Sequence, residues 1–133
     1  MRGVRQQTRR ASVVGAGSFG TAVAVVLDRA GIRTTLLCRT EEQAAQLAEA
    51  RENARYLPGV ALPERLKVRV FGAHDDQFRR ADLVFLAVPS AGLAAAAAEL
   101  ARQGVAAHAG VVSLVKGLVP PAGTLPTTVL ERA

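Results

Sequence analysis

Tryptophan is absent, phenylalanine and tyrosine together number five, and cysteine occurs once. No apolar run approaches the ~18 to 20 residues needed to span a bilayer, so no segment reads as a membrane span. Cys38 alone cannot close an internal disulfide, which points to a reducing compartment and a cytoplasmic protein. Acidic residues are missing from the first ten positions, which hold Arg2, Arg5, Arg9 and Arg10. Residues 1–9 therefore read as a basic, solvated, flexible arm. Outside the first ten positions 13 basic residues face 11 acidic ones, so most of the net charge of +6 belongs to those ten residues. No aromatic side chain sits among these arginines to stack on bases, which argues against a nucleic-acid partner. Ala11-Ser12-Val13-Val14-Gly15, which follows, is too short and too soon broken by glycine for a secretory signal. The 133 residues, half of them hydrophobic, suffice for one core and not for two.

Short apolar runs alternate with helical patterns along the rest of the chain. Ala11–Val14 has the length and composition of a strand buried on both faces. A helix is expected from Ser18 to Ala30, with Ala22, Val23, Val26, Leu27 and Ala30 on its apolar face and Gly31 as its stop. Thr34–Cys38 is β-branched and apolar, a second strand. Thr40 then reads as the N-cap of a helix to about Ala54, with Gln43 as its capping-box partner. Arg55–Pro63, carrying Pro58-Gly59 and Pro63, reads as loop. Leu66, Val68 and Val70 alternate with Lys67 and Arg69, the pattern of a half-exposed strand near a sheet edge. Asp82–Val88 looks like a central strand halted by Pro89. Ser90 is expected to cap a helix from Ala91 to Gln103, closed by Gly104. Val111–Val115 is a fifth strand, and Thr124–Arg132 begins a further helix. This alternation predicts an α/β domain with a parallel, doubly wound sheet, and with five strands visible it looks incomplete beside the usual order 3-2-1-4-5-6.

Gly15-Ala16-Gly17-Ser18-Phe19-Gly20 is a G-x-G-x-x-G motif lying between a strand and a helix, the context in which that spacing carries meaning. Gly15 would make the tight turn, Gly17 would let the backbone approach a pyrophosphate, and Gly20 would let helix pack closely on sheet. The N–H groups at the start of the helix would face the phosphates. Where NAD-specific domains place an acid for the ribose hydroxyl, at the end of the second strand, this chain has Arg39. A guanidinium suits the 2′-phosphate of NADP(H), so NADP(H) is the preferred dinucleotide and NAD(H) the second. The competing reading is a solvated arginine paired with Glu41 or Glu42.

Three segments together resemble bacterial NAD(P)-dependent glycerol-3-phosphate dehydrogenase. They are Val14–Ala22 around the glycines, Arg51–Pro63 with its Asn-x-x-Tyr-Leu-Pro-Gly-x-x-Leu-Pro pattern, and Ala87-Val88-Pro89-Ser90 with the later Ser113-Leu114-Val115-Lys116-Gly117. The resemblance covers the chain after the arm and implies a Rossmann-like domain at residues 10–133. It further implies reduction of dihydroxyacetone phosphate to sn-glycerol 3-phosphate, feeding phospholipid synthesis in the cytoplasm. Carried over, Ser18 and Phe19 meet the cofactor at the phosphate loop and Arg39 its adenosine end. Val88, Pro89 and Ser90 line the nicotinamide side of the cleft, and Lys116 reaches both cofactor and substrate. An ammonium past the carboxyl edge of the sheet could hold a substrate oxygen that gains charge.

Members of that family continue through a sixth strand into a helical domain that carries the base lysine, and this chain shows neither. The 133 residues by themselves are therefore expected to be inactive, and an open strand edge offers a route to a homo-oligomer. Two alternatives stand beside the enzyme: a dinucleotide-binding module without turnover, and a related dehydrogenase acting on another carbonyl. His74 and His108 lack any metal spacing and read as surface or loop residues, and no metal is expected. Cys38 reads as core, Lys67 as strand-edge surface, and Asp75 and Asp76 as a solvated helix start.

Overall fold

Parallel strands pair only when something carries the chain back across the sheet, and the apolar runs here are separated by segments that do so. The computed structural model describes residues 9–72, 77–115 and 123–133, and for 77 and 78 the backbone alone. Among the described residues seven strands run in chain order: β1 (Arg10–Val14), β2 (Arg33–Cys38), β3 (Glu52–Asn53), β4 (Leu57–Ala61), β5 (Lys67–Val70), β6 (Leu83–Leu86) and β7 (Gly110–Ser113). The helices are α1 (Ser18–Arg29), α2 (Glu41–Ala50), α3 (Gln77–Arg80), α4 (Leu93–Gln103) and α5 (Pro126–Arg132). Five strands form one sheet in the order β5-β2-β1-β6-β7, and every pairing in it is parallel. This is the Rossmann-like α/β arrangement, with the order reversing between β1 and β6.

Successive side chains of a strand point to opposite faces, and the central strands fill two cores in that way. Val13 and Leu36 face one side, where α1 and α2 contribute Ala24, Val25, Ala44 and Leu47. Val14 and Leu37 face the other, with Leu86 of β6 and with Leu93 and Leu100 of α4. Burial on both faces explains why these strands read as unbroken apolar runs. At the margin, β5 keeps Val68 buried and Lys67 and Arg69 exposed, as its alternation predicts.

The buried face of α1 is only partly the one expected: Val23 and Leu27 pack against the core, but the most buried residues lie beside them. Gly20, Thr21, Ala24 and Val25 are buried, whereas Val26 is 64% exposed and Ala30 is exposed. The reason lies at the start of the helix. A Cβ on Gly20 would stand 2.0 Å from the Gly15 carbonyl oxygen, so this turn of α1 lies directly on the glycine loop. The small residues that permit the approach become the inner face.

Three further boundaries differ from expectation. Helix α2 ends at Ala50, four residues early, where Arg51 turns left-handed (φ 54°). Its guanidinium donates to the carbonyls of Pro63 and, at 2.9 Å, of Leu66. Those bonds tie down the segment read as loop, which instead contains β4, paired antiparallel with β3 from the end of the stretch read as helix, and with Gly59 at φ 80° inside β4. Ser90 does not cap α4: it begins a short 3-10 turn, Ser90–Gly92, and the helix starts at Leu93 behind Gly92. Helix α3, between β5 and β6, is too short to show a period; its first residue, Gln77, directly follows in sequence the Asp75-Asp76 pair read as a helix start. The basic arm up to residue 8, together with His74, Asp75 and Asp76, lies outside the described residues.

Candidate functional site at the carboxyl edge of the sheet

In open α/β sheets ligands bind beyond the carboxyl ends of the strands, where the strand order reverses. Here that place lies between β1 and β6, and the glycine motif occupies it. The Gly15 N–H donates to the Leu37 carbonyl of β2 at 2.9 Å, and the Ala87 N–H donates to the Val14 carbonyl at 2.8 Å. Gly15 has φ +111°, and a Cβ there would stand 2.4 Å from the Ala87 carbonyl oxygen. Gly15 and Gly20 are therefore required by the protein's own backbone, as the tight turn and close packing predicted.

Gly17 is different. Its φ of −82° and ψ of −166° suit any residue, and a Cβ on it would meet nothing within 4 Å among the described residues. It is the N-cap of α1, no side chain caps that end, and the first turn holds no acid. Among the described residues the first N–H groups of the helix and the positive end of its dipole thus go without a side-chain partner. Ser18 and Phe19, the next two residues, are exposed, Phe19 by 57%. Across the reversal point Val88 and Ser90 are half-buried and Pro89 is exposed. Val88 belongs to the same rim, its N–H nitrogen 3.4 Å from the ideal Cβ position of Gly15.

Arg39 leaves the carboxyl end of β2, beside β1, and its side chain is exposed. Among the described residues it makes no ion pair, with Glu41 and Glu42 included. Thr40 caps α2 as expected, accepting from the Gln43 N–H at 3.1 Å. The Gln43 side chain does not return to the Thr40 N–H, as the reciprocal half of a capping box would. Its Oε1 accepts from the Arg39 N–H at 3.4 Å and its Nε2 donates to the Ala16 carbonyl at 3.5 Å, two long bonds that link Arg39 to the glycine loop.

Ala16 receives a shorter bond from another quarter. Asn53 of β3 is 3% exposed, and its Nδ2 donates to the Ala16 carbonyl and to Thr21 Oγ1, both at 2.9 Å. Sequence reasoning missed Gln43 and Asn53 as parts of this edge. Their only signals were a capping-box spacing and a place in the Asn-x-x-Tyr-Leu-Pro-Gly segment. Lys116 lies outside the described residues. Cys38 is fully buried beside this edge, and burial pushes its thiol up to about 11.

Residues 10–133 match the family described as "NAD-dependent glycerol-3-phosphate dehydrogenase N-terminus". The chain belongs to the glycerol-3-phosphate dehydrogenase family. Its relatives include glycerol-3-phosphate dehydrogenase [NAD(P)+] of Neisseria meningitidis, 40% identical over 121 residues, covering 91% of this chain and 36% of that protein. The protein of the same name from Deinococcus radiodurans is 43% identical over 113 residues, covering 85% of this chain and 32% of its own length. Among solved structures, glycerol-3-phosphate dehydrogenase from Coxiella burnetii superposes with a TM-score of 0.84 at 25% identity, over 94% of this chain and 37% of that one. The chain thus spans about a third of the length of the glycerol-3-phosphate dehydrogenases it matches. The shared part is the N-terminal, NAD(P)-binding portion of an oxidoreductase family.

Proposed function

We propose that this chain holds NADP(H), in preference to NAD(H), for the interconversion of dihydroxyacetone phosphate and sn-glycerol 3-phosphate in the cytoplasm, a step that feeds phospholipid synthesis. The observation that carries the reading is Gly17. Its backbone does not need glycine and its surroundings leave room for a side chain, so the missing Cβ is accounted for by a ligand. A pyrophosphate against the uncapped end of α1 fits that space and that charge. Gly15 and Gly20 shape the loop, while Ser18 and Phe19 meet the cofactor from the first turn. Arg39, without a carboxylate partner among the described residues, pairs with the 2′-phosphate. Val88, Pro89 and Ser90 line the nicotinamide side, and Lys116 holds a substrate oxygen. When bound, the nicotinamide supplies or accepts the hydride.

The 133 residues by themselves should turn over near background. Hydride transfer needs the carbonyl fixed, a proton donor within reach and water excluded, and of the groups that do this the chain contributes Lys116 alone. Fluorescence titration with NADPH and NADH, followed by dihydroxyacetone phosphate in the same cuvette, tests both parts. The expected result is saturable binding, tighter for NADPH, with almost no oxidation. No binding of either dinucleotide would overturn the cofactor reading, and brisk oxidation the expectation of inactivity.

A further inference from the structure

We propose that Asn53 is a positioning residue for the pyrophosphate site, holding the Ala16–Gly17 peptide so that the Gly17 N–H faces the ligand. The inference rests on the reading above, that a dinucleotide sits at the glycine loop. Asn53 is separated from Ala16 by 37 residues and reaches it through the hairpin. Both hydrogens of its amide are committed, one to the Ala16 carbonyl and one to Thr21 Oγ1.

In a trans peptide the carbonyl of one residue and the N–H of the next point in opposite directions. Drawing the Ala16 oxygen inward toward buried Asn53 therefore turns the Gly17 N–H away from the hairpin. Glycine on one side of a peptide makes its rotation cheap, so this is the plane in the loop most in need of an external hold. Gln43 assists at 3.5 Å, too long to do the work alone. Asn53 is itself fixed by pairing with Leu57 and by the Tyr56 N–H, which donates to its carbonyl at 3.2 Å. The hairpin thus pre-forms the site, and a loop already set in its bound geometry binds more tightly than one that must be ordered by the ligand.

Thr21 separates positioning from mere packing, because it shares the Asn53 amide but not the Ala16 bond. Asn53→Leu and Thr21→Val both break the Asn53–Thr21 bond at nearly constant volume, whereas only the first frees the Ala16 carbonyl. NADPH affinity, melting temperature and the Gly17 amide resonance are measured for the parent and both variants. Asn53→Leu should weaken NADPH binding ten- to a hundredfold and shift the Gly17 resonance. Thr21→Val should stay within threefold of the parent although its melting temperature also falls. Should leucine prevent folding, Asn53→Ala carries the same expectation. Affinities that fall equally in both variants, or an Asn53 variant that binds like the parent, overturn the positioning role while leaving the cofactor reading intact. A parent chain that binds neither NADPH nor NADH overturns both.

Discussion

At the carboxyl ends of β1 and β6 backbone meets backbone at distances that leave no room for a side chain, whereas at their amino ends the same strands are joined by side chains open to water. Gly15 and Gly20 stand against carbonyls of the loop and of Ala87. At the other end Asp82 accepts from the Arg10 N–H at 2.8 Å and meets His108 Nε2 at 3.0 Å, with His108 exposed. The close end has been given up to small residues, with Asn53 and Thr21 bonded to each other behind the loop. The open end could be rebuilt in many ways. A ligand site follows the first design because it must present main-chain N–H groups, which close packing and the bond to the Ala16 carbonyl from behind the loop fix together.

The largest effect should come from adding one methyl group at the close end. In Gly20→Ala the new Cβ meets the Gly15 carbonyl, a backbone atom that cannot swing aside. Overpacking of this kind costs roughly 3 kcal/mol or more, a large part of the stability of a small domain. The urea midpoint should drop accordingly or the protein should fail to fold. A midpoint equal to the parent's would mean that the loop can yield, and the contrast between the two ends would lose its basis.

Gly17→Val divides the close end in two. With extended dihedral angles and open space around it, the valine should lower stability by under about 1 kcal/mol, the cost of a poorer N-cap. Helical circular dichroism should be nearly unchanged while dinucleotide binding is lost. Retained micromolar binding would put the phosphates elsewhere. Arg39→Asp asks less of the site: a charge-assisted pair contributes about 1.5 to 3 kcal/mol. The preference for NADPH over NADH should narrow or reverse by roughly ten- to a hundredfold. Equal affinities for the two dinucleotides in the parent, unmoved by the substitution, would sink the assignment of Arg39.

These contrasts also explain what could be read in advance. The central parallel strands were legible because burial on both faces leaves runs such as Val13-Val14 and Leu36-Leu37, β5 was legible by its alternation, and the glycine loop because its spacing is set by geometry. The face of α1 was legible only in part, through Val23 and Leu27, since the turn against the glycine loop is built from small residues and the hydrophobic scale favours Val26. Pro58-Gly59 reads as loop punctuation, yet β4 accommodates it through a positive φ at Gly59 and a bond from its N–H to Glu52 Oε2 at 3.2 Å. That pairing joins residues several positions apart and leaves no periodic trace. Asn53 was hidden for the same reason. Its partners are a carbonyl and a hydroxyl that only the folded chain brings near.

The smallest expected effect belongs to the open end. The Arg10 N–H, and after it the His108 ring, hold the Asp82 carboxyl below its ordinary range. A carboxylate whose pKa is depressed by folding stabilises the native state above its unfolded value, and the contribution disappears as pH falls through the lower, folded value. Parent protein should therefore lose some stability between about pH 5 and pH 3 that Asp82→Asn does not lose, since the amide carries no charge to protonate. The difference should be small, because the carboxylate is open to solvent and screened. Urea midpoints at pH 6, 4 and 3 for both proteins measure it. NADPH affinity at pH 7 should be the same in the two, as the site lies at the opposite end of the strands. Identical acid sensitivity in parent and variant would show that Asp82 contributes nothing through its charge, and a change in NADPH affinity would show that the two ends are not independent.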